Sequence, residues 1–524
     1  MKIPNNLGSL SDLKAREKKA FAESAQWEDT LDDAYEFFLP NRNLFNREGR
    51  GQKKMDRIFD GTGPESIKIG ASKLQENIAP IWARWANYEP SGEILRQIEA
   101  SQGDISEKDI RENLEEQAAI TFDIINRSNF ATQFYEFGLD LLIGTATMSI
   151  EEDESDEMPI IFKAIPQIGI AFEEGPRGVI ETHWWRLKVK ARNLERQWVG
   201  FKPSLQMSKL IKDSPDEMVD VRQGVVFDHL EQKYYLIVWV HEEESISFVD
   251  EYDDTSPMVT ARYSKTSGEV RGRGPVLDVL PNVKSLNKAK EYMLTKAAID
   301  LSGMWTATDD GVTNPYNIKI APGIVIPVGS NNSQNPSLQR LDTTTDLNLG
   351  LFVVEDMQND VRRALFNDIR EPDDSVVSAT QFAIESRELA KRIGSAFGRI
   401  QTEALIPILK RVHAILVRRG ILQPMKIGGR EVAIKFTSPL ARAQDAEDLL
   451  SFQQAVEFTR AVGGDEAVQL SFKVENAGTW AAQKTGSPQE LSRTETEKQE
   501  MVQAAGALAE QGIEEEAPQQ PQAV

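Results

Sequence analysis

Apolar residues recur every three or four positions along most of this chain, and they alternate with polar ones only over a central stretch. Residues 9–38 carry the helical pattern, with Ser9 or Ser11 placed to cap its start and Pro40 to mark its end. The turn Phe59-Asp60-Gly61-Thr62-Gly63-Pro64-Glu65-Ser66 leads into an amphipathic helix with Ile67, Ala71, Leu74 and Ile78 on one face. Two more helices are predicted over 107–126 and 130–143. From 145 to 263 the period changes to that of strands, with β-branched and aromatic runs at 159–162, 179–185 and 234–240 separated by Gly, Pro and Asp. A strand-rich subdomain attached to a predominantly helical chain makes the class α+β.

Two long helices follow, over 282–303 and 346–368, each about 33–35 Å at 1.5 Å per residue. Leu286, Ala289, Met293 and Ala297 stripe the first, and Leu351, Val354, Met357, Val361 and Leu365 the second. They bracket residues 304–345, which hold turn residues and short strands such as 324–328, so the simplest geometry is a pair of rods carrying a small tip. Residues 369–375 form a polar break around Pro372. Ser378 or Thr380 then caps a very long helix to about Arg419, kinked at Pro407 and stopped by Gly420. A strand at 432–436 and helices at 442–462 and 493–509 complete the pattern, and the polar residues 513–524 read as a disordered tail.

Composition narrows the function. The 524 residues include 40% hydrophobic and 27% charged ones, as in a soluble multidomain protein, and no apolar run approaches the length of a membrane span. The first residues lack the apolar stretch of a secretory signal, which makes cytosolic synthesis the default expectation. The absence of cysteine excludes disulfides, thiolate metal sites and cysteine nucleophiles, and fits assembly in a reducing compartment. Sixty basic residues against 82 acidic ones give a net charge of −22. That balance argues against tight, salt-dependent DNA binding but places no restriction on a protein that lets DNA slide past.

Catalytic constellations are missing. No G-x-x-x-x-G-K-[ST] phosphate loop is present, so a built-in ATP motor is not expected. Gly272-Arg273-Gly274-Pro275 resembles the start of a dinucleotide loop but lacks the third glycine, and a turn into the first rod is the plainer reading. His183, His229, His241 and His413 are dispersed, and His241-Glu242-Glu243-Glu244 reads as a solvated strand end rather than a metal site. Asp253-Asp254 and Asp309-Asp310 lack calcium-loop spacing. Asp60 has the position to stabilise its own turn and the following helix start rather than to act as a catalytic carboxylate. No catalytic residue, cofactor or metal site is therefore expected.

Two clusters of positive charge stand out. Residues 391–419 hold Lys391, Arg392, Arg399, Lys410, Arg411, Arg418 and Arg419 against the single acid Glu403, and need anionic neighbours. DNA could supply them; acidic surfaces of the same or adjacent subunits are the simpler source. Lys284 and Lys288 share a face of the first rod, and repeated around a ring they would line a bore.

Four stretches in this order carry a resemblance to a known family. They are Phe59-Asp60-Gly61-Thr62-Gly63 before a helix running to Pro80-x-x-x-Arg84-Trp85; Gly272-Arg273-Gly274-Pro275 leading into Leu286-Asn287; Ser378-Ala379-Thr380-Gln381 with Glu385; and Thr437-Ser438-Pro439-Leu440-Ala441-Arg442. With the rod–tip–rod pattern between them, the chain resembles the portal (head-to-tail connecting) proteins of short-tailed bacteriophages, most of all over residues 1–445. The resemblance implies a portal fold and a ring, typically of about twelve subunits, at one capsid vertex of the virion, assembled in the host cytoplasm. By that likeness residues 1–281 are a wing, 282–303 and 346–368 the stem, and 304–345 a clip. Residues 369–379 are a channel loop, 380–440 a long kinked helix returning to the wing, and 441–512 a helical crown.

Arg370, Glu371, Asp373 and Asp374 then lie in the channel loop, and Lys284 and Lys288 on the channel-lining stem. The acids outnumber the arginine, so an acidic constriction that lets DNA slide is expected rather than a cationic grip. The implied partners are further copies of the chain, a separate terminase motor, tail or adaptor proteins, and major capsid and scaffolding proteins. Double-stranded DNA would pass without sequence specificity, and no membrane is involved. Another phage structural component, such as a scaffold or tail-tube protein, and a metal-independent cytosolic enzyme remain the alternatives.

Overall fold

Ser9 caps the first helix through a reciprocal box. Its hydroxyl accepts from the Asp12 N–H at 3.3 Å, and the Asp12 carboxylate accepts from the Ser9 N–H at 2.8 Å. In this computed structural model, which describes residues 4–42, 57–81, 83–91, 107–153, 158–302, 304–307, 331–332, 334–336, 338–341, 347–367, 392–424, 426–427, 430–472, 477–478 and 480–481, the expected helix over 9–38 is two: α1 (Leu10–Ala25) and α2 (Glu28–Phe38). The break has a packing cause. Leu13 and Ala20 of α1 join Trp184 and Trp239 of the strand subdomain, whereas Leu31, Ala34, Tyr35 and Phe38 of α2 enter the main helical core. One straight helix could not face both.

The main core is built around α3 (Thr62–Ile78), which starts inside the predicted turn, and the helices Glu107–Arg127 and Phe130–Ile143. Ile67, Leu74 and Ile78 meet Phe134, Phe137 and Leu142 there, and all are fully or almost fully buried. Trp85 leads into β1 (Ala86–Glu89), which pairs antiparallel with the strand Ala433–Phe436. Early and late parts of the chain thus close on each other.

The strand region forms two antiparallel sheets. β2 (Thr145–Glu152) lies between β3 (Ile160–Ile165) and β9 (Met258–Arg262). β4 (Ile170–Glu174), β5 (Ile180–Lys190), β6 (Met218–Asp228), β7 (Lys233–Val240) and β8 (Ile246–Tyr252) form a meander in chain order. Neighbours in sequence pair as neighbours in space, which needs only short turns.

The long helix near the C-terminal third is described from Arg392. Its expected kink is a π-turn, Gln401–Leu405, set between the helices Ser395–Ile400 and Ile406–Arg418. Pro407 has no N–H for the carbonyl four residues back and its ring crowds that carbonyl, and a widened turn just before it relieves both. The Ile406 N–H reaches Gln401 O instead. Gly420 ends the helix with φ of 73°, a left-handed value that favours glycine.

The widened turn carries Glu403 onto Arg262 of β9, a fully buried side chain. The guanidinium meets the two Glu403 oxygens at 3.2 and 2.7 Å, donates to Gly178 O at 2.8 Å and contacts Glu174 at 3.2 Å. Burial alone lowers the Arg262 pKa, and the two carboxylates more than reverse that. Removing one partner from such a site leaves a charge uncompensated. Glu403→Ala should therefore cost about 3–5 kcal/mol in urea unfolding, whereas Arg399→Ala, which removes only the outer 3.0 Å contact to Glu403, should cost less than about 1 kcal/mol.

Candidate functional site

The two rods are the helices Pro275–Ser302 and Leu347–Ala364, packed antiparallel. The first begins seven residues earlier than the periodicity suggested, and Pro281 is accommodated inside the helix. Pro275 occupies the opening position, where a missing N–H costs nothing. The Gly272–Gly274 segment is a backbone junction. Arg273 exchanges hydrogen bonds with Ser264 at 2.9 and 3.1 Å, and the Gly274 N–H donates to Ile143 O at 3.0 Å. A Cβ on Gly274 would collide with the Leu142 carbonyl, so only glycine allows this approach. The plainer reading of that motif, a turn into the rod, holds.

At the root of the rods the Phe59–Gly63 turn holds both helices together. Asn287 of the first rod accepts from the Phe59 N–H at 2.7 Å and the Asp60 N–H at 3.3 Å, and donates to Arg57 O at 2.9 Å. Asp60, 4% exposed, accepts from the Thr62 N–H at 2.9 Å through one oxygen. Its other oxygen accepts from Gln358 of the second rod at 2.7 Å and lies 3.5 Å from Lys290 of the first. Burial pushes the Asp60 carboxyl up, but Thr62, Gln358 and Lys290 together hold it below the usual aspartate value.

The far end of the second rod is fixed by α3. Lys73 donates to Phe366 O at 3.1 Å and Asn367 to the Ser66 hydroxyl at 3.1 Å. A Cβ on Gly70 would sit 2.7 Å from Leu365 O, so the rod end and α3 touch backbone to backbone. Phe366 leaves the rod with φ of 63°, a left-handed value rare for an aromatic residue.

Another pair of motif stretches also meets. The Thr437 N–H donates to Trp85 O at 2.8 Å and its hydroxyl to Arg84 O at 3.2 Å, while Ser438 caps the helix Pro439–Ser471. The Trp85 ring lies between Phe122, 4.9 Å away and edge-on, and Phe436, stacked at 6.4 Å.

The sequence-selected charges have these positions. Lys284 pairs with Asp33 of α2 and stands 5.9 Å over the Phe37 ring. Lys288 pairs with Glu291 at 2.8 Å and stands 4.9 Å over Tyr292. Arg370, Glu371, Asp373 and Asp374, with Ser378–Gln381 and Glu385, fall outside the described residues. Arg399 of the basic cluster meets Glu403, and Arg418 and Arg419 both meet Glu152, so acids of the same subunit supply these partners. His183 is buried against Thr260 at 2.9 Å, and burial pushes its pKa down to about 3. Among the described residues no group of acids and histidines could hold a metal, and no helix is long and apolar enough to cross a membrane. Gln358 was not singled out from sequence, since one glutamine on an amphipathic helix gives no signal until its partner is known.

The buried polar groups of this junction hold two rods to the Phe59–Gly63 turn. Residues 10–492 match the family described as bacteriophage head to tail connecting protein, and the chain belongs to that family. It is 22% identical over 492 residues to the portal protein of Salmonella phage epsilon15, covering 86% of this chain and 82% of the relative. It is 19% identical over 456 residues to the probable portal protein of Bordetella phage BPP-1, covering 83% and 78%. A chain from the virion of a native gene transfer agent particle aligns at 13% identity over 82% of this chain and 94% of its own, with a TM-score of 0.35, a likeness too low to carry an argument. The chain is thus a structural component of the head-to-tail junction of a phage virion.

A carboxylate whose pKa is lowered by folding stabilises at pH values above its unfolded pKa and loses that contribution as pH falls through the folded one. The stability gap between the wild type and Asp60→Asn should therefore be constant near neutrality and close below about pH 4. Urea unfolding across pH 3 to 8 measures it. Asp60→Ala, which also strands Gln358 and the Thr62 N–H, should cost about 2 kcal/mol at neutral pH.

Proposed function

We propose that this connector works as a portal: a closed ring of about twelve copies at one capsid vertex, through whose axis double-stranded DNA enters and leaves. The observation that carries the reading is the outer surface of the rods. Tyr292, Leu294, Leu351 and Phe352 are 55–69% exposed on helices otherwise anchored in the core. Large apolar side chains exposed at several positions around a rod pair suit neighbours on more than one side, and further copies of the same rods in a ring supply them. The antiparallel pairing of Met304–Ala307 with Leu338–Leu341 closes the base of the excursion that this reading takes as the clip.

In this reading residues 1–281 with 380–440 form the wing, the rods the stem, 369–379 the channel loop and 441–512 the crown. A separate terminase motor and later the tail or adaptor proteins dock on the ring, and capsid and scaffolding proteins surround it during assembly in the host cytoplasm. Lys284 and Lys288 face the bore. Each already carries an acid, Asp33 or Glu291, so the lining is close to neutral. With Glu371, Asp373 and Asp374 in the loop, the channel adheres weakly to phosphate and DNA slides. No step of this function requires chemistry by the chain itself.

Negative-stain images and native mass spectrometry of the wild type should show closed rings with an axial hole. The double substitution Leu351→Glu with Phe352→Glu should leave subunits folded, with an unchanged circular dichroism spectrum, and abolish rings. Rings that persist would place the contacts elsewhere.

Replacing residues 371–375 by a Gly-Ser link should spare ring yield, while particles carrying it package short DNA or lose it. The measurement is packaged DNA length against ring yield in the same preparation. Loss of rings would make the segment a subunit contact, and normal packaging would remove it from the constriction.

A further inference from the structure

Two cavities of about 460 and 440 Å³ meet between β8, the edge strand of the five-stranded sheet, and the helix Ile406–Arg418. They share Tyr252, Arg411 and Arg418. Arg411 projects from the apolar side of its helix, among Ile408, Val412 and Ile415, and is 4% exposed. Its guanidinium lies 4.5 Å over the Tyr252 ring, and its Nε is buried without a hydrogen-bond partner. Arg418 and Arg419 nearby are, by contrast, taken by Glu152. Burial lowers the Arg411 pKa to about 10, so it stays cationic at neutral pH. On the same cavity His413 places Nε2 2.8 Å from Gln423 O, and its buried Nδ1 has no partner.

Asp250 and Glu152 act on Arg411 through charge but leave its Nε without a partner; a buried donor of this kind is costly, and a guanidinium suits the planar, two-oxygen face of a carboxylate. The rim is mainly acidic. Glu251, Asp253 and Asp254 border one cavity with Lys410, and Glu151, Glu152 and Asp250 the other, Glu251 being paired with Lys233 and Glu152 with Arg418. Such a collar repels a polyanion such as nucleic acid and admits a single anionic group carried on a neutral or basic chain.

We propose that this cleft is a docking site for a short segment of another polypeptide, which seats one carboxylate side chain on Arg411 and sets flanking basic side chains against the acidic rim. The inference stands on the cleft alone, so its failure and that of the portal reading are separable.

Fluorescence anisotropy of labelled acetyl-Lys-Leu-Glu-Leu-Lys-amide added to the full-length protein tests it. Saturable binding is expected, weakened about tenfold or more when the peptide glutamate becomes glutamine, and equally by Arg411→Gln. The peptide change needs no altered protein, so a misfolded variant cannot blur the result. Replacing the glutamate by phosphoserine should weaken binding, because the extra charge meets the collar. Tighter binding of the phosphopeptide would overturn the carboxylate assignment. Equal affinity of the glutamine peptide, or no binding at about 1 mM, would overturn the site.

Discussion

A single buried carboxylate sets the geometry on which the rest of the molecule depends. Two long helices pack side by side against the helical core, and nothing in their own backbones fixes the angle at which they leave it. Asp60 does so by accepting from its own turn, from Gln358 of one rod and, through charge, from Lys290 of the other. Asn287 repeats the arrangement with backbone groups of the same turn. Hydrogen bonds are directional where apolar packing is not, so this small polar cluster supplies orientation while Val283, Leu286, Val361 and Leu365 supply burial.

Three of the four stretches that carried the family resemblance prove to be joints, and the stretch at 378–385 lies outside the described residues. Phe59–Gly63 touches Asn287, the Gly272–Gly274 segment touches the end of the helix Phe130–Ile143, and Thr437 touches Arg84 and Trp85. None of them forms a pocket with reactive groups. Such joints carry no catalytic spacing, while their order along the chain is informative. The motifs encode joints between distant parts of the chain, and joints have no chemistry of their own to recognise.

Much of the architecture was readable from periodicity, because amphipathic faces such as Ile67, Ala71, Leu74 and Ile78 face one core. Periodicity failed where one element serves two neighbours. The helix over 9–38 breaks because its halves bury into different clusters, and the first rod starts seven residues before its predicted start, with Pro281 inside it. The basic stretch was legible as a need for acids, but not Glu152, 266 residues from Arg418, nor the reach of Glu403 to Arg262, 141 residues away. Of the candidate site, Asp60 as a turn stabiliser was legible. Its reach to Gln358, 298 residues away, was not.

The clamp also makes the rods levers. From Lys290 to the end of the first rod at Ser302 the helix runs on for about 18 Å. An error of about 10° at the root therefore moves the tip by about 3 Å, close to the width of an atom. In the proposed closed ring such errors would not average out, because each subunit would hand its misalignment to the next and the last must still meet the first. In such a ring the seating of Asp60 would govern whether the far end of the assembly is round.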